Sequence, residues 1–346
     1  MSTNSDEQLE EFPSFDPVYQ TERIAFEPSQ MIACGKCGRV NPPNRLKCIY
    51  CANDLEIPTG ETASLDLRFR KPELWEPGFN IIFSGKAAEV IDVPAAAKLL
   101  SLQPFEVQSV LEANVPLPLA RVENETGASI VTKRLFQLGI TARLIPDAEL
   151  LADQSPVRLG RIDFRGDRLE FKAFNTGFVT VMDANDLDLI IPGVISVGKV
   201  DSTERKGRRG QTKLVDETQI DTDETVLDLY CRNDPSGFRI QLAGFDFSCL
   251  GEEKTMLAAE NIRRLIAKLR ACCPNAQFVD NYSTVIPLLD PIWEVETRKD
   301  QKGLQKTGIG KRGFGTVSSR NNLNQFTKFS RLQRRMYERA DQEETG

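Results

Sequence analysis

Residues 156–295 alternate apolar and polar side chains in short segments, which predicts an antiparallel, β-rich domain. The segments 161–165 and 168–173 flank a Gly-Asp turn and therefore predict a β-hairpin. Further strands are predicted at 177–182, 187–191, 194–200, 226–231 and 238–242. Helical spacing of apolar residues then predicts a closing helix at 255–272. Its buried face is predicted to comprise Ile262, Leu265, Ile266 and Leu269.

Several antiparallel strands followed by one amphipathic helix resemble the pleckstrin-homology domain. The resemblance implies a barrel of strands with the helix covering one open end. A polar insertion at 201–225 interrupts this domain, with a basic first half and an acidic second half. We expect it to form a flexible hairpin loop whose two halves attract each other, and a phosphate-binding loop is the alternative.

Residues 77–150 carry shorter apolar patterns that predict a small α+β domain. Strands are predicted at 79–83 and 141–145, with helices that begin at Pro94, Pro104 and Thr126. This order, and the phrase KRLFQLGITARLI in particular, resembles the C-terminal domain of the bacterial ribosomal stalk protein. The resemblance implies that fold. It does not imply the function, because Ser101-Leu102-Gln103-Pro104 replaces the lysine- and glycine-rich surface with which that family contacts translation factors.

The two ends of the chain lack these patterns. Residues 1–29 are predicted to be a disordered acidic tail, with a short binding motif anchored by its aromatic residues as the alternative. Residues 57–76 are predicted to be a linker, and residues 296–346 a basic flexible tail. Ten Lys or Arg residues oppose Glu338 alone between Lys302 and Arg339. We therefore predict a multidomain α+β protein with disordered tails.

Composition narrows the function classes. A length of 346 residues indicates about two domains plus tails. The chain has no stretch of about eighteen apolar residues, so we expect no membrane insertion. It also has no histidine, which removes the commonest general base and the Ser-His and Cys-His pairs. With no P-loop either, we predict that the protein is not an enzyme.

Four cysteines, Cys34, Cys37, Cys48 and Cys51, follow the spacing C-x2-C-x10-C-x2-C. Two residues between cysteines allow one turn to direct both sulfurs at a single ion, and four thiolates suit tetrahedral Zn²⁺. We expect Gly35 and Gly38 to supply the left-handed backbone angles of these turns. Their backbone N–H groups can then point at the sulfurs. Residues 30–56 are therefore predicted to form a zinc module.

The segment ACGKCGRVNPPNRLKCIYCANDLE resembles the short zinc ribbon, or rubredoxin-type pair of knuckles, of many bacterial proteins. Asn41 also lies where the Ran-binding-protein type of zinc finger has its asparagine. That family has a tryptophan just before the first cysteine, whereas Met31, Ile32 and Ala33 stand here. The resemblance implies a structural zinc ion held by the four cysteines.

Disulfides and iron are the alternatives to zinc at these cysteines. Two disulfides would need an oxidising compartment, and the acidic first thirty residues do not resemble a signal peptide, so we expect a cytoplasmic protein with reduced thiols. Iron in place of zinc stays open. The remaining cysteines are interpreted as small buried hydrophobes, with a reactive pair at Cys272-Cys273 as the alternative.

The predicted function is that of a non-catalytic adaptor, in which a zinc module and two small domains present surfaces to a protein partner. The alternative is an RNA- or ribosome-associated protein that binds through the zinc knuckles and the basic tail. The candidate nucleic-acid contacts are Lys36, Arg39, Arg45 and Lys47. The sequence leaves the partner and the oligomeric state open.

Overall fold

The computed structural model describes residues 31–42, 48–53, 55, 71–73, 75–113, 115–150, 154–206, 212–232, 234–308 and 311–344. The predicted acidic tail and most of the predicted linker lie outside these residues. The chain forms two compact units, residues 1–65 and residues 66–346. Both helices and large sheets are present, which confirms the predicted α+β class. Within the described residues, no helix is both long and apolar enough to span a membrane.

The first unit contains two short strands, β1 (Ile32–Ala33) and β2 (Val40–Asn41). They pair in antiparallel fashion, with Ile32 opposite Asn41 and Ala33 opposite Val40. The core described for this unit consists of two aliphatic side chains, Ile32 and Leu55, packed with Cys34, Cys48 and Cys51. So small a core cannot by itself offset the entropy of ordering the segment.

The second unit begins with a three-stranded antiparallel sheet in the order β4-β3-β5. Its strands are β3 (Phe79–Ala87), β4 (Leu117–Val122) and β5 (Ile140–Pro146). Its helices are α1 (Val93–Leu100), α2 (Pro104–Ala113), α3 (Glu125–Gln137) and α4 (Asp147–Leu150). Asn124 caps α3 by accepting a hydrogen bond from the Gly127 N–H, which explains where that helix begins. Strand β4 was not predicted, because prolines such as Pro116 and Pro118 are more typical of loops than of strands.

A nine-stranded sheet is the larger of the two sheets in the second unit, in the order β13-β14-β9-β10-β11-β6-β7-β8 with β12 beside β9. Its first strands are β6 (Val157–Arg165), β7 (Arg168–Ala173), β8 (Val179–Asp183), β9 (Leu187–Lys206) and β10 (Thr212–Cys231). The others are β11 (Asp234–Gln241), β12 (Gln277–Phe278), β13 (Glu296–Gly308) and β14 (Lys311–Asn321). The predicted hairpin is formed by β6 and β7, and Gly166 at its turn has a φ of 65°.

Helix α5 (Ala258–Cys272) covers part of this sheet, and α6 (Tyr282–Leu289) follows it. Ile262, Leu265 and Leu269 of α5 are buried in a cluster with residues of β6, β7, β10 and β11, as their spacing predicted, whereas Ile266 of the predicted face is only partly buried. The pleckstrin-homology barrel is not what forms. Strand β11 pairs with β6 in parallel, and the C-terminal strands extend the sheet beyond β9, so the pairing of the described strands runs from β13 to β8 as an open sheet.

The polar insertion at 201–225 continues the strands on both sides of residues 207–211, which the structure does not describe. This corrects the prediction of a loop with oppositely charged halves facing each other. The register places Lys213 opposite Arg205, whereas Asp221 and Asp223 lie opposite Gly198 and Ser196. The five threonines of this segment, together with Val215 and Ile220, favour an extended backbone in spite of its charge.

Residues 296–344 form β13, β14 and a long helix, α7 (Leu323–Glu344). This corrects the prediction of a basic flexible tail. Phe326, Phe329 and Leu332 of α7 are fully buried, and they join a core that also contains Ile81 of β3 and Leu189 of β9. Residues 77–150 therefore share a hydrophobic core with β9, β10, α6 and α7, and the cluster around α5 is separate from it.

Helix α7 is unusual because every side chain from residue 325 to residue 334 is buried, polar ones included. The Gln325 amide donates to the Trp293 carbonyl at 2.8 Å. The Ser330 and Tyr230 hydroxyls are hydrogen-bonded at 2.8 Å. Arg334 donates to the Asp188 carboxylate, also at 2.8 Å. These partners replace the water that the polar groups lose on burial.

Candidate metal centre

The four cysteine sulfurs of the first unit all lie within 4.8 Å of one another. The Sγ atoms of Cys34 and Cys51 are 3.6 Å apart, and those of Cys37 and Cys48 are 3.5 Å apart. A tetrahedral site with metal–sulfur bonds of about 2.3 Å requires sulfurs about 3.8 Å apart. The arrangement therefore fits one metal ion bound by four thiolates.

The two knuckles have the same backbone geometry. In the first, the Cys34 N–H donates to the Arg39 carbonyl and the Gly38 N–H donates to the Cys34 carbonyl. In the second, the Cys48 N–H donates to the Asn53 carbonyl and the Ala52 N–H donates to the Cys48 carbonyl. The second knuckle thus repeats the turn of the first knuckle fourteen positions later in the chain.

Equivalent positions of the two turns have left-handed backbone angles. Gly38 has a φ of 70°, as predicted, and Ala52 has a φ of 56°. Gly35 is not among the residues with positive φ, so the prediction was wrong for that glycine. An alanine in this region carries strain that a glycine does not, so the second knuckle is the more strained of the two.

Backbone N–H groups surround the sulfurs. Hydrogen bonds from the backbone of Cys37 and Lys36 lower the pKa of Cys34, against the opposing effect of burial. Burial likewise opposes the shift at Cys48, where the N–H groups of Tyr50 and Cys51 bring the pKa down to about 6. A backbone hydrogen bond from Arg39 reaches Cys37, but burial and its three sulfur neighbours raise the pKa of that thiol to about 12. Four adjacent thiolates repel one another, and a divalent cation would remove that repulsion.

Asn41 connects the two knuckles and is completely buried. Its side-chain Oδ1 accepts a hydrogen bond from the Ile49 N–H at 2.9 Å, and its Nδ2 donates to the Arg39 carbonyl at 2.8 Å. It also contacts the Cys48 sulfur by a side-chain hydrogen bond. The asparagine noted in the sequence therefore has a structural role in the turn between the cysteine pairs.

No protein family, curated protein or solved structure matches this chain. The four-cysteine centre is therefore identified from its own geometry and donor set.

The candidate nucleic-acid contacts divide into two groups. Lys36 and Arg39 are exposed, and the Arg39 guanidinium lies 4.6 Å from the centre of the Tyr50 ring. Arg45 and Lys47 lie outside the described residues. The structure thus places two of the four predicted cations on the surface of the four-cysteine module.

The surface of this module also carries apolar side chains that the sequence analysis did not single out. Val40, Ile49 and Tyr50 are 54%, 54% and 53% exposed, and they follow or flank cysteine positions in the chain. For Ile49 and Tyr50 the available signal was their position between Cys48 and Cys51, because a module with so small a core has little interior in which to bury them.

The other cysteines belong to the second unit. Cys231 and Cys273 are buried, and Cys249 and Cys272 are partly buried. Burial raises the pKa of Cys273 to about 11 and also raises the pKa of Cys231. The Cys231 thiol lies 3.1 Å from the Met182 sulfur, in the core beside α5. These contacts support their interpretation as small hydrophobic residues.

Proposed function

We propose that this chain is a non-catalytic zinc-binding adaptor of the cytoplasm, whose metal ion is structural. The observation that supports zinc is the set of four sulfurs at tetrahedral spacing. All four ligands come from the protein, so no coordination position is left for a substrate or for a reactive water. A compartment that keeps thiols reduced is needed to preserve the ligands.

The surface proposed to receive a protein partner comprises Val40, Ile49 and Tyr50, which we call the module face. More than half of each of these side chains is exposed on a unit with only two described aliphatic core residues. Large apolar side chains with an adjacent arginine are typical of the centre of protein interfaces. The metal would hold these residues in place, since the fold of so small a unit depends on the ion.

The alternative, RNA binding through a free basic tail, does not fit the C-terminal fold, because helix α7 is buried in the second unit. Deleting the chain after residue 297 would remove Phe326, Phe329 and Leu332 from the core, so it would unfold the second unit instead of trimming a free tail. RNA binding would therefore be tested with point variants at surface residues instead of a C-terminal deletion. Exposed Lys36 and Arg39 are the described cations that RNA could contact on the module.

Two measurements test the proposal. Elemental analysis of the purified protein is expected to give one zinc per chain; absence of a stoichiometric metal would overturn the proposal, and iron would replace its cofactor. Cross-linking and affinity capture then compare wild type with Tyr50→Ser and with Phe136→Ser, a control at an exposed aromatic residue of α3. We expect capture of one specific partner to be lost with Tyr50→Ser and with chelator, and to be retained with Phe136→Ser. A partner retained in the Tyr50 variant would exclude the module face.

A further inference from the structure

Four strands of the second unit continue beyond the hydrophobic core as a ribbon in the order β13-β14-β9-β10. Ile195 of β9 and Val226 of β10 are buried, whereas residues 218–223 of β10 and 296–302 of β13 are exposed. A sheet that leaves its core behind gains little from hydrophobic burial. The described side chains at 218–223 and 296–302 are therefore available for binding.

The β9–β10 hairpin and the β13–β14 hairpin have their turns at the same end of the ribbon. Phe314 of β14 lies opposite Glu204 of β9 and also opposite Leu304 of β13. On the other side of β9, Glu204 lies opposite Leu214 of β10. Segments about one hundred residues apart in the sequence are thus brought together. We call residues 204–206, 212–214, 302–308 and 311–314 the ribbon end.

The ribbon end is strongly basic on a chain whose net charge is −6. Its single acidic residue is Glu204. Its seven basic residues are Arg205, Lys206, Lys213, Lys302, Lys306, Lys311 and Arg312. One of them, Lys302, is paired with Asp201. The excess of positive charge makes this part of the acidic chain attractive to a polyanion.

The register places like charges opposite each other at two positions. Lys213 is the cross-strand partner of Arg205, and Lys306 is the cross-strand partner of Arg312. Like charges directly opposite each other destabilise a sheet, so these pairs are unfavourable in the absence of an anion. A bound chain of phosphates would remove this repulsion.

Two large apolar residues belong to the same hairpin as the Lys306–Arg312 pair. Leu304 and Phe314 form a cross-strand pair, and their side chains are 59% and 55% exposed. Lys306 and Arg312 are two residues further along the same strands. Exposed aromatic rings next to cations are the arrangement by which proteins stack the bases of single strands while contacting their phosphates.

We propose that the ribbon end binds single-stranded nucleic acid, with the basic residues contacting phosphates and Phe314 stacking on a base. The site belongs to the second unit and does not depend on the zinc ion or on the proposed module face. A duplex or an acidic protein would use the charges alone, because neither offers an unstacked base to Phe314. The contribution of Phe314 therefore distinguishes these classes of partner.

The test uses fluorescence anisotropy of full-length, metal-loaded protein with labelled oligo-U and oligo-dT of about twenty nucleotides, between about 50 and 200 mM salt. We expect binding that weakens as salt rises. Lys306→Ala with Arg312→Ala should weaken it about tenfold and reduce the salt slope by about two. Phe314→Ser should weaken it about fivefold with the slope unchanged, since stacking releases no counterions. The matched control replaces Lys98 and Lys133, which are exposed on α1 and α3, by alanine and should leave binding unchanged.

Several outcomes would overturn the proposal. They are no binding at the lowest salt, equal weakening by the control pair, or a duplex bound as tightly as a single strand with Phe314→Ser neutral. Loss of binding on chelation would transfer the site to the zinc knuckles. Thermal unfolding of each variant checks that the second unit is folded, and the ribbon variants lie outside its core.

Discussion

The two units of this protein achieve an ordered structure by different means. The first has a described core of Ile32 and Leu55 around three of its cysteines. The second contains a continuous core that extends from Ile81 to Leu332, together with a second cluster beside α5. Apolar area sets this difference, because stabilisation by burial scales with the surface removed from water. A segment with almost no such area needs another source of free energy, and a cation bound by the four sulfurs would provide it.

The two units also differ in how their buried polar groups find hydrogen-bond partners. In the first unit, backbone N–H groups and the Asn41 amide satisfy the sulfurs and the turns. In the second unit, α7 buries polar side chains and pairs them with residues far away in the sequence, such as Tyr230 and Asp188. One unit is specified locally and the other by distant pairing. A change that destabilises one unit should therefore leave the stability of the other unit unchanged.

The largest expected effect is that of metal removal on the first unit. Structural zinc contributes about 10–16 kcal/mol of apparent free energy to small modules at neutral pH, so chelation or Cys48→Ser should unfold residues 31–55. The second unit should keep its unfolding temperature, because its core contains none of the ligands. Nuclear magnetic resonance of the module and calorimetry of the whole chain would measure both. Equal loss of order in both units would show that the comparison is wrong.

The second prediction tests a buried charged pair of the second unit, which also contacts α7. Arg239 of β11 donates to the Asp228 carboxylate of β10 at 2.6 and 2.7 Å, and its Nη1 donates to the Thr327 hydroxyl of α7 at 3.1 Å. Asp228→Ala would leave the buried Arg239 without its counter-charge, so we expect a loss of about 3–5 kcal/mol in the free energy of unfolding. Urea denaturation measures this loss.

The control is the double variant Asp228→Leu with Arg239→Met, which removes both charges. It should recover much of the lost stability, because no buried charge is then left unpaired. Zinc content should stay unchanged in both variants. A loss below about 1 kcal/mol for Asp228→Ala would mean that the pair behaves like an exposed salt bridge.

Prediction from the sequence succeeded where the determining contacts are local. The cysteine spacing, the hairpin of β6 and β7, and the apolar face of α5 each depend on residues a few positions apart. The burial of helix α7 in the chain's own core was missed, because it depends on partners such as Tyr230, which is 100 residues from Ser330, and Asp188, which is 146 residues from Arg334. The ribbon was missed for a related reason, since polar strands stabilised by neighbouring strands lack a hydrophobic alternation.

A third prediction concerns Lys328, which is 8% exposed on α7. No hydrogen bond or ion pair of this side chain is present within the described part of the chain, although the Asp147 carboxylate attracts it and the Arg121 guanidinium repels it. Burial lowers the pKa of this amine, so its charged form destabilises the folded state. Lys328→Met should therefore raise the free energy of unfolding by about 1 kcal/mol.

The difference in the free energy of unfolding between wild type and Lys328→Met should depend on pH. The unfolded chain binds the Lys328 proton more tightly than the folded chain does, so wild type gains stability relative to Lys328→Met as pH rises. The advantage of the variant is complete below the lowered pKa and disappears above the ordinary value of 10.5. Urea denaturation at several pH values follows it. An advantage that does not change with pH would assign the effect to packing instead of charge.

The smallest expected effect separates the two knuckles of the first unit. Ala52 occupies the left-handed position that Gly38 occupies in the other knuckle, and left-handed angles cost a non-glycine residue about 1–2 kcal/mol. Ala52→Gly should relieve that strain, and after the greater entropy of glycine in the unfolded chain a net gain of about 0.5–1 kcal/mol remains. Competition with a chelator should then show zinc bound about two- to fivefold more tightly. Gly38→Ala is the mirror experiment: its added Cβ meets no atom within 4 Å, so it introduces backbone strain alone and should weaken zinc binding by a similar factor. If both substitutions weaken binding, the two turns are not equivalent and the repeated hydrogen bonds conceal a difference between them.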